Sequence, residues 1–222
     1  MSRVFSLPLS QQAANQLICI ENHIQGSNIN ENHTDIWSYC WGSTRYSSKK
    51  AYIRLQGYTE ASPLFSWLWG SSNLGKHKFF FWLLLRDRLN TRNLLRRKNM
   101  FLEDYSCVLC TTGHEETLFH LFFECPFSIS CWNTIPVSWN MNLQPLDMVI
   151  TAREAFGSSI FREIITTSYW AIWLVRNGVI FDNEQANLNT WKSRFIEELG
   201  FMRTKAKPAR QNLLNLWRDN FI

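Results

Sequence analysis

The sequence predicts a mainly α, irregular helical domain stapled by one structural zinc site, with a helical C-terminal extension. Three observations carry this. Apolar residues recur at helical spacing along most of the chain, with no internal repeat and no sustained strand alternation. Cys107, Cys110, His120 and Cys125 lie within nineteen positions, a thiolate and imidazole set suited to tetrahedral zinc. Eleven tryptophans and sixteen phenylalanines supply core material that a disordered chain lacks.

Three segments are expected: a flexible leader over 1–34, a zinc-binding domain over 35–134 and a helical extension over 135–222. In the leader, Pro8, Gln11, Gln12 and the Asn-, Ser- and His-containing run 21–34 leave too few apolar residues for a core. Residues 17–20 suit a short strand or helix, and order resumes at Asp35-Ile36-Trp37. Segment 47–56 has Ser47 as a candidate N-cap and carries Ala51, Tyr52 and Leu55 on one face. Ser62-Pro63 opens a helix, since proline in the first turn costs no hydrogen bond; Leu64, Trp67 and Leu68 form its buried side.

Segment 76–89 is the longest helical candidate of the first half, apolar nearly all round and so destined for a core. Its apolar run 79–85 has seven residues, far short of the roughly 20 that cross a membrane. Asn90-Thr91 caps a second helix through 97, with Leu94 and Leu95 inward and Asn99 closing it in a left-handed turn. A turn over 105–113 carries the first cysteine pair. A short helix over 116–123 stops at Cys125-Pro126, because the residue before proline disfavours helical geometry. Pro126 opens another helix to about 133. A connector over 135–148 holds Pro136 and Pro145, helices follow over 158–177 and 189–205, and Pro208 breaks the chain before 213–217.

The metal reading is specific. Cys107-x2-Cys110 lets one tight turn offer two thiolates; His120 sits in a short helix and Cys125 just beyond it. Four protein ligands leave no open position for substrate, which marks a structural rather than a catalytic zinc. His114 is a competing ligand four residues past Cys110. Glu115 or Glu116 can orient His120, the plainer reading being a solvated carboxylate at the helix start. Cys131 is expected in the core beside Trp132; Cys19 and Cys40 are also read as structural. The N-terminal residues do not form a secretory signal, so reduced thiols and an intracellular location, nucleus or cytoplasm undecided, are expected.

A series of motifs in chain order carries a resemblance: Trp67-Leu68-Trp69, Lys78-Phe79-Phe80-Phe81-Trp82, Arg88-Leu89-Asn90-Thr91, Leu94 or Leu95 with Arg96-Arg97, Cys107-x2-Cys110, Glu116-Thr117, His120-Leu121-Phe122, Cys125-Pro126-Phe127 and Trp132. Together they resemble the zinc-binding domain found after the reverse transcriptase in plant LINE-type (non-LTR) retrotransposons. The upstream SSKKAY segment, 47–52, is similar to that family's opening motif, although the glycine usually preceding it is not in place. Residues 160–200, with Trp170-x2-Trp173 and Arg176-Asn177, look like the helical continuation common in such reading frames. The resemblance implies zinc and nucleic-acid contact over about 35–134. No Asp-Asp pair occurs anywhere, so the polymerase metal motif is lacking, and the chain reads as a detached carboxy-terminal piece of a retroelement.

Charge is concentrated. The chain carries +5 in total, whereas 76–98 alone holds eight basic residues against Asp87. Arg88, Arg92, Arg96, Arg97 and Lys98 are the candidate contacts to RNA or DNA phosphates, with Tyr105 and Phe127 as stacking surfaces. The plainer reading is that these residues solubilise an apolar helix pair. No G-x-S-x-G, P-loop or H-E-x-x-H motif is present, Glu197-Glu198 reads as a solvated helix face, and no enzymatic activity is expected. Two alternatives stand beside nucleic-acid contact. One is a protein-interaction scaffold, in which aromatic surface left over from Trp170, Trp173 and Trp191 meets a polymerase domain outside this chain. The other is a non-functional relic.

Overall fold

A computed structural model describes residues 10–26, 37–58 and 63–221. The expectations for Asp35, Ile36, Ser62 and the side chain of Leu64, and much of the leader, lie outside them. Helices account for 64% of the described residues, and no strand occurs among them. The chain divides into two compact units, Met1–Glu60 and Ala61–Ile222.

In the first unit, α1 (Gln11–Gln25) starts at Ser10, whose side chain accepts from the Ala13 amide, and none of its residues is buried. α2 (Ser48–Gln56) is capped as expected: Ser47 accepts from the Lys50 amide. Tyr52 and Leu55, its apolar side, are exposed. Tyr39 and Trp41 stack at 4.8 Å between ring centres. Cys19 and Cys40 are exposed, so the expectation that they fill structural positions is corrected.

The second unit begins with α3 (Pro63–Trp69) and α4 (Gly75–Leu85). α4 ends four residues before its expected limit. Asp87 adopts φ 50°, its amide donates to the Leu84 carbonyl at 3.0 Å, and the Arg88 amide donates to Leu83 at 2.8 Å. That double closure is a Schellman motif, which satisfies carbonyls the helix would otherwise strand. α5 (Arg92–Arg97) starts at Thr91, which accepts from the Leu94 amide. It ends the same way as α4, with Asn99 at φ 57° and the Met100 amide on the Leu95 carbonyl at 3.0 Å.

Beyond the zinc-ligand segment come α6 (Pro126–Trp132), α7 (Pro145–Phe156), α8 (Phe161–Phe181), α9 (Leu188–Lys205) and α10 (Pro208–Phe221). Two prolines read as breaks are helix starts instead. Pro145 occupies the first turn of α7 and Pro208 begins α10, a position where the missing N–H goes unnoticed. The connector therefore closes at 144.

α8 is the central element. Ile164, Ile165, Tyr169, Ala171, Ile172 and Val175 on it are fully buried. Tyr169 is ringed by aromatic groups, with centre distances of 5.6 Å to Phe81, 5.4 Å to Phe122 and 4.7 Å to Trp132. One apolar core runs from Leu68 through Phe122 and Trp132 to Trp191, Phe195 and Leu214. Of the three expected tryptophans, Trp191 is wholly buried, while Trp170 and Trp173 are half-buried against Phe80.

Candidate metal centre

The zinc-ligand segment is a small hairpin followed by a widened helical turn. Ser106 and Glu115 form an isolated antiparallel bridge. The Cys107 amide donates to the His114 carbonyl at 2.8 Å, and the Glu116 amide to Tyr105 at 2.9 Å. Between these bonds the chain turns through Cys110 and reverses at Gly113, whose φ of 72° lies in the left-handed region that glycine enters without a Cβ clash.

The expected regular helix over 116–123 is not what forms. After a short start at Leu118, residues His120–Glu124 make a π-helical turn, closed by the Cys125 amide on the His120 carbonyl at 2.7 Å. In an α-helix, residues five apart point about 140° from each other. The wider turn, followed by extended backbone at Cys125 (φ −61°, ψ 128°), removes that divergence. Such π-turns concentrate at functional sites because they re-aim side chains.

The result is convergence. One ligand atom from each of Cys107, Cys110, His120 and Cys125 lies within 4.8 Å of all the others. Zn–S bonds near 2.3 Å and Zn–N bonds near 2.0–2.1 Å set tetrahedral edges of about 3.8 Å between sulfurs and about 3.6 Å from sulfur to nitrogen. Here the Cys107 and Cys125 sulfurs are 3.9 Å apart, and Cys110 Sγ lies 3.4 Å from His120 Nε2. The donor set and its spacing therefore fit one zinc ion. Three of the ligands are buried and Cys110 is half-buried, leaving a closed site with no position for substrate.

The surroundings favour thiolate at Cys125: the hydrogen bond from the Cys107 thiol, aided by backbone amides of Ser128 and Phe127, holds it below the ordinary thiol range against the opposing effect of burial. Cys107 is pushed the other way, by donating that bond and then by burial. The Thr112 hydroxyl lies 3.0 Å from Cys110 Sγ and supplies a donor once that sulfur is ionised. Cys131, fully buried beside Trp132, is held up by burial and remains a thiol.

His120, and not the competing His114, is among the converging groups; His114 Nδ1 sits 3.0 Å from Thr112 Oγ1. One expectation about the rim is corrected. Neither Glu115 nor Glu116 orients His120. The nearest carboxylate to its Nδ1 is Glu124, at 3.9 Å. Glu115 accepts from Asn93 and Arg96. Glu116, completely buried, accepts from the Arg92 amide at 3.0 Å and pairs with Arg176 of α8 at 2.7 Å. This buried ion pair ties the ligand segment to the C-terminal helices. In sequence its two members stand in separate motifs, Glu116-Thr117 and Arg176-Asn177, with nothing to pair them.

The basic residues have different fates. Arg92 Nη1 donates to Asp104 at 3.1 Å and to the Ser106 carbonyl at 3.0 Å, bracing the hairpin. Arg96 pairs with Glu115 at 3.2 Å and lies over the Tyr105 ring. Arg97 pairs with Asp87 at 2.6 Å, and Lys98 donates to Asn90. Arg88, Arg96, Arg97 and Lys98 are exposed. Tyr105 and Phe127 are half-buried; Tyr105 donates its hydroxyl to the Met100 carbonyl, whereas Phe101 beside it is 88% exposed.

Glu198 corrects another expectation. It is not a solvated face residue: it is buried, paired with Lys76 at 2.6 Å and His77 at 3.0 Å, and accepts from the Trp170 indole at 3.1 Å. Nothing in local periodicity marks this, because all three partners are more than twenty residues away.

Residues 46–132 match the family model described as zinc-binding in reverse transcriptase. The match supports a reverse transcriptase zinc-binding domain over these residues and, with the four-ligand cluster, one zinc site. No curated protein and no solved structure matches the chain.

Proposed function

We propose, starting from a reverse transcriptase zinc-binding domain over 46–132, that this chain is a zinc-stapled module of plant LINE-type retroelement origin that contacts nucleic acid without catalysing a reaction. The closed four-ligand site supports a structural role for the metal, since zinc saturated by protein activates no water. The observation that carries nucleic-acid contact is the exposed row Arg88, Arg96, Arg97 and Lys98 beside the ligand hairpin, with Phe101 projecting next to it. Its ion pairs to Glu115 and Asp87 are solvent-exposed, hence weak and readily exchanged for phosphate. Arg92 is not part of this contact surface; it braces the hairpin.

Binding of single-stranded RNA and of duplex DNA, measured by fluorescence anisotropy across a salt series, tests this reading. Each phosphate contacted contributes about −0.7 to the slope of log K against log salt for a single strand. A triple variant, Arg88→Gln/Arg97→Gln/Lys98→Gln, is expected to flatten the slope by about two. Binding unchanged by the triple variant, or none at low salt, removes nucleic-acid contact by this row.

A further inference from the structure

A second cluster of cations lies within the Ala61–Ile222 unit around the N-terminus of α8. A cleft of about 380 Å³ there is lined by Trp67, Ser158, Ser159, Arg153, Arg162 and Arg210, with no acidic residue on its wall. A second cleft of about 520 Å³ shares Ser159 and Arg210 and adds Ser71, Lys205 and Lys207. α8 starts here without a side-chain cap hydrogen bond; the Phe161 amide is taken by the Ser158 carbonyl at 3.2 Å, and Glu163 is the acid of its first turn.

Three observations separate this arrangement from a solvated surface. Arg162 is only 8% exposed, yet its Nε has no partner. Ser71, also 8% exposed, has an unpartnered hydroxyl at the second cleft. Arg153 and Arg162 both lie over the Trp67 ring at 5.3 Å, which fixes two guanidinium planes beside one cleft. The local counter-charge is Glu163, fully buried behind the clefts; its Oε1 accepts from Arg210 and the Ser72 amide at 3.2 Å. Three arginines against one carboxylate leave the site cationic. Burial, reinforced by Arg210 and Arg153, lowers Arg162 below its ordinary range despite Glu163, and a bound anion relieves that crowding.

We infer that these clefts bind phosphoryl groups, held by Arg153, Arg162, Arg210 and Lys207. Arginine forks match tetrahedral oxyanions in a bidentate manner, and two adjoining clefts accommodate successive phosphates. The inference is independent of the basic row on α5. The phosphoryl group has two sources, a nucleic-acid backbone or a small phosphorylated compound.

The test is a titration of the zinc-loaded full chain followed through its arginine Nε–H signals by ¹⁵N NMR. Inorganic phosphate is one probe and a short single-stranded RNA the other. Arg153→Gln/Lys207→Gln alters two exposed side chains, and Arg96→Gln/Arg97→Gln serves as the comparison. Phosphate should shift the Arg153, Arg162 and Arg210 signals, and the first variant should weaken it by about tenfold or more, the second not at all. RNA shifting the same signals with the same sensitivity identifies a backbone as the source; response to phosphate alone identifies a small compound. Shifts absent from these arginines, or an affinity lost only in the Arg96→Gln/Arg97→Gln variant, overturn the inference.

Discussion

Each zinc ligand is placed by its own backbone device: Cys107 by the bond to His114, Cys110 by the turn before Gly113, His120 by the π-turn and Cys125 by the chain reversal at Pro126. The ligands were legible in the sequence because metal chemistry restricts both residue type and spacing. Their orienting neighbours were not, since Glu115 and Glu116 find partners on α5 and α8 that no local spacing reveals. Glu116 yields a prediction at this scale. Removing one member of a buried ion pair leaves the other uncompensated, at a cost of about 3–5 kcal/mol. Glu116→Ala is therefore expected to lower stability by that order in urea denaturation of the zinc-loaded chain, and Arg176→Ala by a similar amount. The double variant should cost less than their sum; simple additivity counts against the pair.

At the scale of elements, capping was readable and helix limits were not always so. Ser47 and Thr91 cap as their chemistry suggests, and Asn99 takes the left-handed position. Asp87 terminates α4 early because its closure depends on φ rather than on hydrophobic pattern. Pro145 and Pro208 were ambiguous for a physical reason: proline both ends one helix and suits the first turn of the next. Replacing Asn99 by alanine, which tolerates positive φ poorly, should destabilise by about 1 kcal/mol, while glycine is accepted without loss; equal stabilities for alanine and glycine variants would contradict the capping role. The contact of α4 with α9 gives a pH dependence. Burial lowers His77 to about 4 despite Glu198 beside it. The folded chain thus keeps His77 neutral while the unfolded chain protonates it below about 6.5. Stability from this source is present above that pH and falls as pH drops toward 4, by about 3 kcal/mol at most. His77→Gln should flatten the acid limb of stability between those values; an identical limb excludes His77 as its origin.

For the molecule as a whole, the consequence is that zinc and the C-terminal helices act on one folding unit. Phe122 and Phe123, within three residues of a ligand, and Trp132, seven residues past Cys125, pack directly on Tyr169 of α8. The periodicity of α8 and α9 announced helices, but their shared core with the ligand segment follows from long-range aromatic contacts invisible to any window of sequence. Structural zinc contributes on the order of 10 kcal/mol to folding of its module, so chelation is expected to loosen α8 as well as the ligand hairpin, seen as faster amide exchange at Ile164, Ile165 and Ile172. Exchange raised in the hairpin alone would show that the two parts are uncoupled. The central claim is the zinc site itself, and its most direct test is elemental analysis of the purified chain beside a Cys107→Ser/Cys125→Ser double variant. One zinc per wild-type chain and none in the variant is the expected result; a well-folded wild-type chain without zinc, or a variant that keeps the metal, would contradict it.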